Sequence, residues 1–195
     1  MRRSKKEAAE TRQHIIETAA TEFRGNGIDG TGLAGLMAAA GLTHGGFYKH
    51  FESKEQVVEE ALTLAIESMV KSMTGSAKRA SSASQSNRGL QSIISEYLSA
   101  DHRDDGAHGC PFVALGSELT RGSDSVREAT TIGFLKVVDL IADQLDGTPP
   151  AAARKEALWI FSAMVGAVTM ARIVTDPDVS ASILREARKH LTRTS

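Results

Sequence analysis

Apolar residues recur at three- and four-residue steps along most of this chain, which is the spacing of one face of an α-helix. Few segments alternate apolar and polar residues with period two, so strand signals are almost absent. Glycine, asparagine and proline stand between the apolar stretches, where helices commonly end or begin. The sequence therefore predicts an all-α fold of about nine helices.

Capping signals set the starts of these predicted helices. Ser53 and Gln56 match a capping box that opens a long helix toward Met73. Pro111 and Pro150 suit the first turns of two later helices. The other expected N-terminal caps are Ser4, paired with Glu7, and Thr31, Thr43 and Asn87. The predicted helices cover residues 4–25, 31–40, 43–50, 53–73, 87–100, 111–119, 123–145, 151–174 and 178–191.

Two segments between the predicted helices lack the apolar pattern. Residues 75–89 are rich in serine, alanine and glycine, which predicts a mobile connection. Residues 101–109 are polar and predict a loop before the helix that Pro111 begins.

Composition is typical of a globular protein from a reducing compartment. The chain has 195 residues, of which 41% are hydrophobic. A single cysteine excludes an internal disulfide and is typical of cytosolic proteins. The basic start, with Arg2 and Arg3, is not followed by the apolar core of a signal peptide. We therefore expect a cytoplasmic protein.

Charge is slightly uneven along the chain. The formal net charge is -1, which excludes a protein that attracts nucleic acid over its whole surface. Residues 1–54 nevertheless carry eight lysines and arginines against six acidic residues, together with three of the six histidines. This mild excess indicates that any contact with nucleic acid lies in the first quarter of the chain.

Residues 31–54 contain the strongest functional signal in the sequence. They predict two short helices joined at Gly41, where a positive φ suits the turn, and then the capped start of a third helix. A short helix with a polar, basic tip beside a tight turn fits the major groove of DNA. The polar and basic side chains near that tip are Tyr48, Lys49, His50 and Lys54.

The turn and the second short helix read Gly41-Leu42-Thr43-His44-Gly45-Gly46-Phe47-Tyr48-Lys49-His50-Phe51, followed by Ser53-Lys54-Glu55. This motif resembles the DNA-binding signature of TetR/AcrR-type transcriptional regulators. The resemblance is specific over residues 9–60, and beyond them it rests on the number and size of the helices. It implies an all-α homodimer with an N-terminal DNA-binding domain of three helices and a larger C-terminal domain. We place a helix-turn-helix domain at residues 1–52 and a ligand-binding and dimerisation domain at residues 53–195.

The resemblance implies two kinds of DNA contact. Base-side contacts are expected from Thr43, His44 and Gly45. Phosphate contacts are expected from Thr31, Tyr48, His50 and Lys54, and Lys49 offers a further donor at the helix end. The alternative is that the polar residues of this short helix are only solvated. A basic arm on the DNA backbone and a solvated tail are both open for Arg2, Arg3, Lys5 and Lys6.

Neighbouring positions support or limit this interpretation. Gly45 and Gly46 predict a close approach of the backbone to DNA or to the preceding helix, because each costs roughly 1 kcal/mol inside a helix. Phe47 and Phe51 are four residues apart and should face the core. The preceding helix departs from the family pattern, because residues 32–35 offer no polar side chain for a base contact.

The predicted helix at residues 151–174 is apolar on almost every side, which predicts burial on every side. It looks too short, and too interrupted by Arg172, to span a membrane. With the last helix it would form the four-helix dimer interface that the resemblance implies, and burial within one monomer is the alternative. A dimer suits a palindromic operator. The expected interface residues are Ala163, Gly166, Ala167, Met170 and Ala171.

A ligand site is only loosely specified. Aromatic and methionine side chains line adaptable apolar pockets, although they are more often simply core. They predict a small apolar or aromatic effector, and no charged constellation on an apolar face indicates a charged one. The candidate ligand-binding residues are Met69, Met73, Tyr97, Cys110, Phe112, Phe134, Trp159 and Met164.

Cys110 supports a second hypothesis. It lies beside the start of a helix and near His108, and both features lower the pKa of a thiol and raise its reactivity. A thiol-based sensor of oxidants or electrophiles is therefore one alternative, and a small buried apolar residue is the other. Metal binding by this region matches no paired-ligand spacing, so no metal is expected. The residues concerned are Asp101, His102, Asp104, Asp105, His108 and Cys110.

The main hypothesis is a ligand-responsive repressor that binds a palindromic operator as a homodimer and is released by a small-molecule effector. A helical-bundle enzyme is a distant alternative, because the sequence has no nucleophile elbow, glycine-rich phosphate loop or paired metal motif. We expect no cofactor, no catalytic residues and no membrane partner.

Overall fold

The computed structural model describes residues 5–80 and 87–194. Within these ranges it contains nine α-helices and one 3-10 helix, and it contains no strand. The all-α prediction is therefore confirmed. The helices are α1 (Lys5–Asn26), α2 (Leu33–Ala39), the 3-10 helix (His44–Lys49), α3 (Lys54–Ala80), α4 (Arg88–Tyr97), α5 (Ala100–Asp104), α6 (Pro111–Leu119), α7 (Asp124–Ala142), α8 (Pro150–Ile173) and α9 (Pro177–Thr194).

Two predictions about the connecting segments are wrong. α3 continues to Ala80, so residues 75–80 are helical. The segment predicted as a polar loop contains α5, because Ser99 caps a short helix there by accepting a hydrogen bond from the His102 N–H (3.1 Å). Outside the described residues lie Arg2, Arg3, the predicted cap Ser4 and the remainder of the predicted connection, residues 81–86.

Only some of the predicted N-terminal caps are confirmed. The box at the start of α3 is confirmed, because Ser53 Oγ accepts from the Gln56 N–H (3.2 Å) and Gln56 Oε1 accepts from the Glu52 N–H (2.9 Å). Thr43 and Asn87 occupy N-cap positions, but neither side chain caps its own helix. Asn87 Oδ1 instead accepts from the Asp146 N–H, and the residue that caps α2 is Gly32 rather than Thr31.

The buried apolar residues form two clusters, and α3 contributes to both. The first cluster joins α1, α2, the 3-10 helix and the first half of α3, with Leu115, Leu119 and Val126 from α6 and α7. The second joins the end of α3 with α4, α7, α8 and α9. Gly133 of α7 lets these helices approach closely, because a Cβ at this position would collide with Ile66 of α3. The boundary predicted between residues 52 and 53 stays a prediction.

One face of α8 packs inside the bundle and the other is exposed in the monomer, so the alternative, burial of every side within one monomer, is wrong, and burial of the exposed face in a dimer stays a prediction. The helix has 24 residues, and its length and mean hydropathy of 1.3 suffice to cross a membrane, although only 33% of that stretch is buried. The argument from length against a membrane span is therefore wrong as well. The packed face lies against α7 and α9. The large apolar residues on the exposed face are Leu158, Trp159, Met170 and Ile173.

Candidate functional site

A small polar surface lies at the 3-10 helix, and we call it the recognition tip. Its residues are all exposed, and Tyr48 is the most exposed large apolar side chain of the described residues, at 66%. Its other members carry a hydroxyl, an imidazole, a bare backbone and an ammonium group, which are groups that contact base edges and phosphates. The tip consists of Thr43, His44, Gly45, Tyr48 and Lys49.

Burial of Phe47 fixes the orientation of the tip. This side chain is fully buried, its ring centroid lies 5.6 Å from that of Phe51, and the Tyr48 ring packs edge-on against it at 5.2 Å. The predicted core positions of Phe47 and Phe51 are thus confirmed. Because the anchor is rigid, the side chains that flank it project to the opposite, solvent side.

The glycines shape the helix that carries the tip. Gly46 lies close to α2, since a Cβ here would meet Met37 Cε at 3.6 Å, whereas Gly45 faces open space. The helix is 3-10 rather than α, with i+3 bonds such as the one from the Gly46 N–H to the Thr43 carbonyl (2.9 Å). Two adjacent glycines disfavour an α-helix, which explains the difference. Gly41 has the predicted positive φ, of 69°.

Arg12 braces the tip from α1, and sequence reasoning missed it. Its Nε donates to the His50 carbonyl (3.3 Å), its guanidinium pairs with Glu60 of α3 (2.5 Å), and it lies 4.6 Å from the centre of the Phe51 ring. One side chain therefore connects α1 with α3 and with the end of the 3-10 helix. The partners are 38 and 48 residues away, so no local pattern in the sequence announces them.

Three of the residues predicted to contact phosphates lie outside the tip. Thr31 is buried and its hydroxyl donates to the Gly27 carbonyl (2.8 Å), so this group supports the loop before α2. Lys54 Nζ donates to the Ile28 carbonyl (2.5 Å), and its two remaining protons stay available to an anion. His50 is half-buried at the end of the 3-10 helix. Their contacts with DNA stay predictions.

The exposed side of α2 carries only alanine and glycine, as the sequence indicates. Its exposed residues are Ala34, Gly35, Ala38 and Ala39. No side chain of this set can donate or accept a hydrogen bond, so the exposed side of α2 offers no polar group for a base-specific contact.

A cavity of about 420 Å³ opens between α3, α4, α5 and the loop at residues 105–110. Met69, Met73, Tyr97 and Cys110 line it, as expected of ligand-binding residues. Phe112, Phe134 and Met164 instead belong to the neighbouring core, where the first two rings and Phe161 pack with one another at centroid distances of 5.5–6.0 Å. Trp159 is 51% exposed on α8, so its assignment to the pocket is wrong.

The residues of α8 that were predicted to form the dimer interface differ in their exposure. Gly166 and Met170 are exposed, and Ala163 and Ala167 are half-buried. Ala171 is buried in the bundle, where its carbonyl accepts from Ser180 Oγ (2.6 Å). It has no surface to offer to a partner, so its prediction as an interface residue is wrong.

His102 connects three parts of the cavity wall. Its Nδ1 lies 2.7 Å from the Tyr97 carbonyl and therefore carries the proton, which leaves Nε2 to accept from the Cys110 N–H at 3.1 Å. Burial lowers the pKa of His102 and outweighs the Tyr97 carbonyl, which raises it. The ring is thus held in the neutral form that both hydrogen bonds need.

Cys110 occupies the predicted N-cap position of α6, with Pro111 as the first helical residue. Its thiol is nevertheless fully buried, and this burial raises its pKa although the Tyr97 hydroxyl and two N–H groups lower it. The expectation of a lowered pKa is therefore wrong. The nearby His108 is exposed and turns to Asp105 instead (3.1 Å). Among the described residues, no three potential ligands are grouped to hold a metal ion.

The loop that closes the cavity is held by two arginines from different parts of the fold. Arg24, near the end of α1, donates from Nη1 to the carbonyls of His108 (3.1 Å) and Gly109 (3.2 Å). Arg172 of α8 donates to carbonyls at the end of α5 and at Asp105, over 2.7–3.2 Å. This part of the cavity wall is thus in direct contact with both α1 and α8.

Two family models match the chain. Residues 15–61 match the model of bacterial regulatory proteins of the tetR family. Residues 87–190 match the model of the C-terminal domain of LmrA/YxaF-like transcriptional regulators. Together these matches cover both the recognition tip and most of the cavity wall.

Individual proteins agree with the models. The HTH-type transcriptional regulator AcrR of Shigella flexneri is 41% identical over 64 residues, which are 33% of this chain and 30% of that protein. The chain therefore matches less than a third of the length of this relative. An uncharacterized HTH-type transcriptional regulator of Mycobacterium tuberculosis is 27% identical over 176 residues, with 85% of this chain and 86% of that protein covered.

A solved structure extends the similarity to the whole fold. A TetR transcriptional regulator from Chloroflexus aurantiacus is 27% identical and superposes with a TM-score of 0.76. The superposition covers 96% of this chain and 95% of that chain. Since the family models match more than half of the sequence, this chain belongs to the TetR family of bacterial transcriptional regulators, which bind DNA and are not enzymes.

Proposed function

We propose that this chain is a ligand-responsive repressor that binds a palindromic operator as a homodimer and leaves it when a small molecule fills the cavity. It acts in the cytoplasm on double-stranded DNA, without a membrane partner or a cofactor. The observation that carries the proposal is the recognition tip, an exposed polar surface fixed from behind by Phe47 and Arg12.

Each residue of the tip has a role in this proposal. Thr43, His44 and Gly45 come closest to the base edges, where the bare backbone of Gly45 lets the helix sit deep in the major groove. Tyr48 and Lys49 contact phosphates, and Lys54 and His50 extend the phosphate track beside them. The Thr31 hydroxyl reaches a phosphate only by giving up its bond to Gly27, so its support is weaker.

Dimerisation is supported by the exposed face of α8. A contiguous apolar surface on a monomer commonly marks a contact with another protein. Exposed and half-buried small residues, Ala163, Gly166 and Ala167, let a second helix approach closely between the larger Trp159 and Met170. Two copies related by a two-fold axis present two recognition tips to two half-sites of a palindrome.

The contacts of the loop at residues 105–110 support a route by which a ligand releases the protein from DNA. A ligand in the cavity presses on the loop at residues 105–110, whose carbonyls bind Arg24 of α1. Because α1 also carries Arg12, a shift of α1 moves the brace of the tip. A ligand that binds the shifted state more tightly lowers the affinity of the protein for DNA. DNA in turn lowers the affinity of the protein for the ligand by the same factor.

Selection of duplexes from a random pool tests the proposal. We expect the wild-type protein to enrich a palindromic site. We expect Tyr48→Ala to lose specific binding of that site in a fluorescence anisotropy titration while it keeps its melting temperature. Ile132→Ala is the matched control, since Ile132 is a large apolar side chain exposed by 52% on α7, away from the tip. Unchanged affinity of Tyr48→Ala, or an equal loss in the control, would count against the proposal.

A further inference from the structure

One polar group in the cavity wall, the Tyr97 hydroxyl, is buried without a well-formed hydrogen bond to any described residue. Tyr97 is only 5% exposed, and no described residue offers its hydroxyl a hydrogen bond of good geometry, although the Cys110 thiol lies beside it. Burial raises the pKa of this hydroxyl well above 10.0, so the group keeps its proton and acts as a donor. An unsatisfied buried hydroxyl is unfavourable, which an acceptor on a ligand corrects.

The acidic groups that line the cavity itself are carboxylates, while Arg24, Arg79 and Arg172 lie behind its wall. Carboxylates of Glu96, Asp101 and Asp105 line it, and none of its described lining residues is a lysine or arginine. Glu96 pairs with Arg79 (3.3 Å) and Asp105 with His108 (3.1 Å). Asp101 is exposed and pairs with no cation of the described residues. A positive group on a ligand is therefore attracted to this rim, and an anion is repelled.

The remaining wall suits an apolar body. Met69, Met73 and Ile93 contribute thioether and aliphatic surface, and the hydroxyls of Ser68, Ser72, Ser76 and Ser99 surround it. A volume of about 420 Å³ lies within the range of sites for small organic molecules. Methionine side chains adapt to the shape of such molecules.

We propose that this cavity binds an organic cation with an apolar or aromatic body, whose hydrogen-bond acceptor meets the Tyr97 hydroxyl and whose positive group faces Asp101. Binding is noncovalent, because the Cys110 thiol is buried and protonated. The identification of this molecule as the effector rests on the function proposed above. Its binding is measured on the protein without DNA, so failure of DNA recognition and failure of the cavity are seen separately.

Four isosteric probes separate charge from hydrogen bonding. The cation with an acceptor is 4-acetyl-N,N,N-trimethylanilinium, and 4-tert-butylacetophenone is its neutral isostere. The anion is 4-acetylbenzenesulfonate. In 4-isopropenyl-N,N,N-trimethylanilinium a methylene group replaces the ketone oxygen, so the cation has no acceptor. Dissociation constants are measured by NMR titration at low salt, where charge effects are largest.

Affinity is expected to fall from the ammonium ketone to the neutral ketone and to be weakest for the sulfonate. Tyr97→Phe is expected to weaken both the ammonium and the neutral ketone about five- to tenfold, and the isopropenyl cation less than twofold. Asp101→Asn is expected to weaken both cations about threefold. Tyr48→Phe and Asp143→Asn are the controls, because they remove the same groups at exposed positions away from the cavity.

Three outcomes would overturn the proposal. One is binding of the sulfonate as strong as that of the ammonium ketone. Another is an equal loss of the ketone and isopropenyl cations in Tyr97→Phe, because the hydroxyl then makes no bond to the acceptor. The third is the absence of saturable binding by every probe while the protein remains folded by circular dichroism.

Discussion

Arg12 donates a hydrogen bond from Nε to the main-chain carbonyl of His50, over 3.3 Å, at the point where the recognition tip ends. The same guanidinium pairs with Glu60 and covers the Phe51 ring. The direction in which the tip points is therefore set from α1, by a side chain outside the tip. Positioning of a reading surface by residues behind it is what a rigid binding site requires.

Replacement of this brace should weaken both the fold and the reading of DNA. We expect Arg12→Met to lower the free energy of unfolding by about 1–3 kcal/mol, because Glu60 and the His50 carbonyl lose a charged donor. Urea unfolding followed by circular dichroism measures this loss. Operator affinity, measured where the variant is fully folded, should also fall, since the tip is no longer fixed.

Arg154→Met is the control for that measurement. It breaks an ion pair of the same type with Asp139, at 3.5 Å on the exposed surface. Exposed pairs contribute about 0–1 kcal/mol, so the control should change stability little and operator affinity not at all. Equal effects of the two substitutions on operator affinity would show that Arg12 has no special position.

Coupling between the cavity and the tip should depend on Arg24. We expect 4-acetyl-N,N,N-trimethylanilinium at saturation to weaken operator binding by wild type at least fivefold, within the range of typical allosteric couplings. Arg24→Met removes the two bonds to the carbonyls of His108 and Gly109, so the probe should then weaken DNA binding less than twofold. Arg121→Met, a change at an exposed arginine outside the cavity wall, should leave the coupling intact. An unchanged response in Arg24→Met would refute this route.

Stability should fall in mild acid because of His102. Its pKa in the folded protein is lowered below the ordinary 6.5 by burial, so the unfolded chain takes up a proton near pH 6.5 while the folded chain does not. The contribution of this residue is thus complete above pH 6.5 and declines as the pH falls below it. In His102→Gln the loss of unfolding free energy between pH 7.5 and 5.5 should be smaller than in wild type. His14→Gln, at an exposed site, should keep the wild-type difference, and a wild-type difference in both variants would contradict the assignment.

A charge on the exposed face of α8 should separate the proposed dimer. Trp159→Glu places a carboxylate on that face, and burial of an unpaired charge is strongly unfavourable. Sedimentation velocity should show a monomer, with wild type as a dimer. Ile132→Glu is matched in exposure, at 52% against 51% for Trp159, and should remain a dimer. A dimeric Trp159→Glu would locate the interface elsewhere.

Local patterns in the sequence predicted most of the helices. Helical spacing, caps such as Ser53 and the αL turn at Gly41 each depend on a few neighbouring residues. A single sequence is therefore enough to predict them. The 3-10 geometry at residues 44–49 was less accessible, because the apolar anchor Phe47 suits both kinds of helix. Only the glycine pair hinted at the difference.

Long-range contacts could not be predicted in this way. Arg24 binds the carbonyl of a residue 85 positions away, and any exposed arginine has the same local appearance. On α8, Trp159 and Phe161 belong to one apolar run, yet the first is exposed and the second fully buried. A helix that is apolar all round does not reveal which face its own bundle covers. Cys110 shows the same limit, since its helix position was predicted, but the sequence left open whether its thiol is reactive or buried, and only the fold shows the burial that raises its pKa.

The most direct test of sequence reading by the tip compares the DNA sites selected by three proteins. Sequencing of duplexes enriched from a random pool gives the base preference at each position for wild type, His44→Ala and Lys49→Ala. If His44 contacts a base edge, its replacement should relax the preference at one position in each half-site and cost about 1–3 kcal/mol there. Lys49→Ala should select the wild-type site with lower affinity and a salt dependence reduced by about one ion. Enrichment of the same site with the same preferences by His44→Ala, or of no site by wild type, would contradict the account.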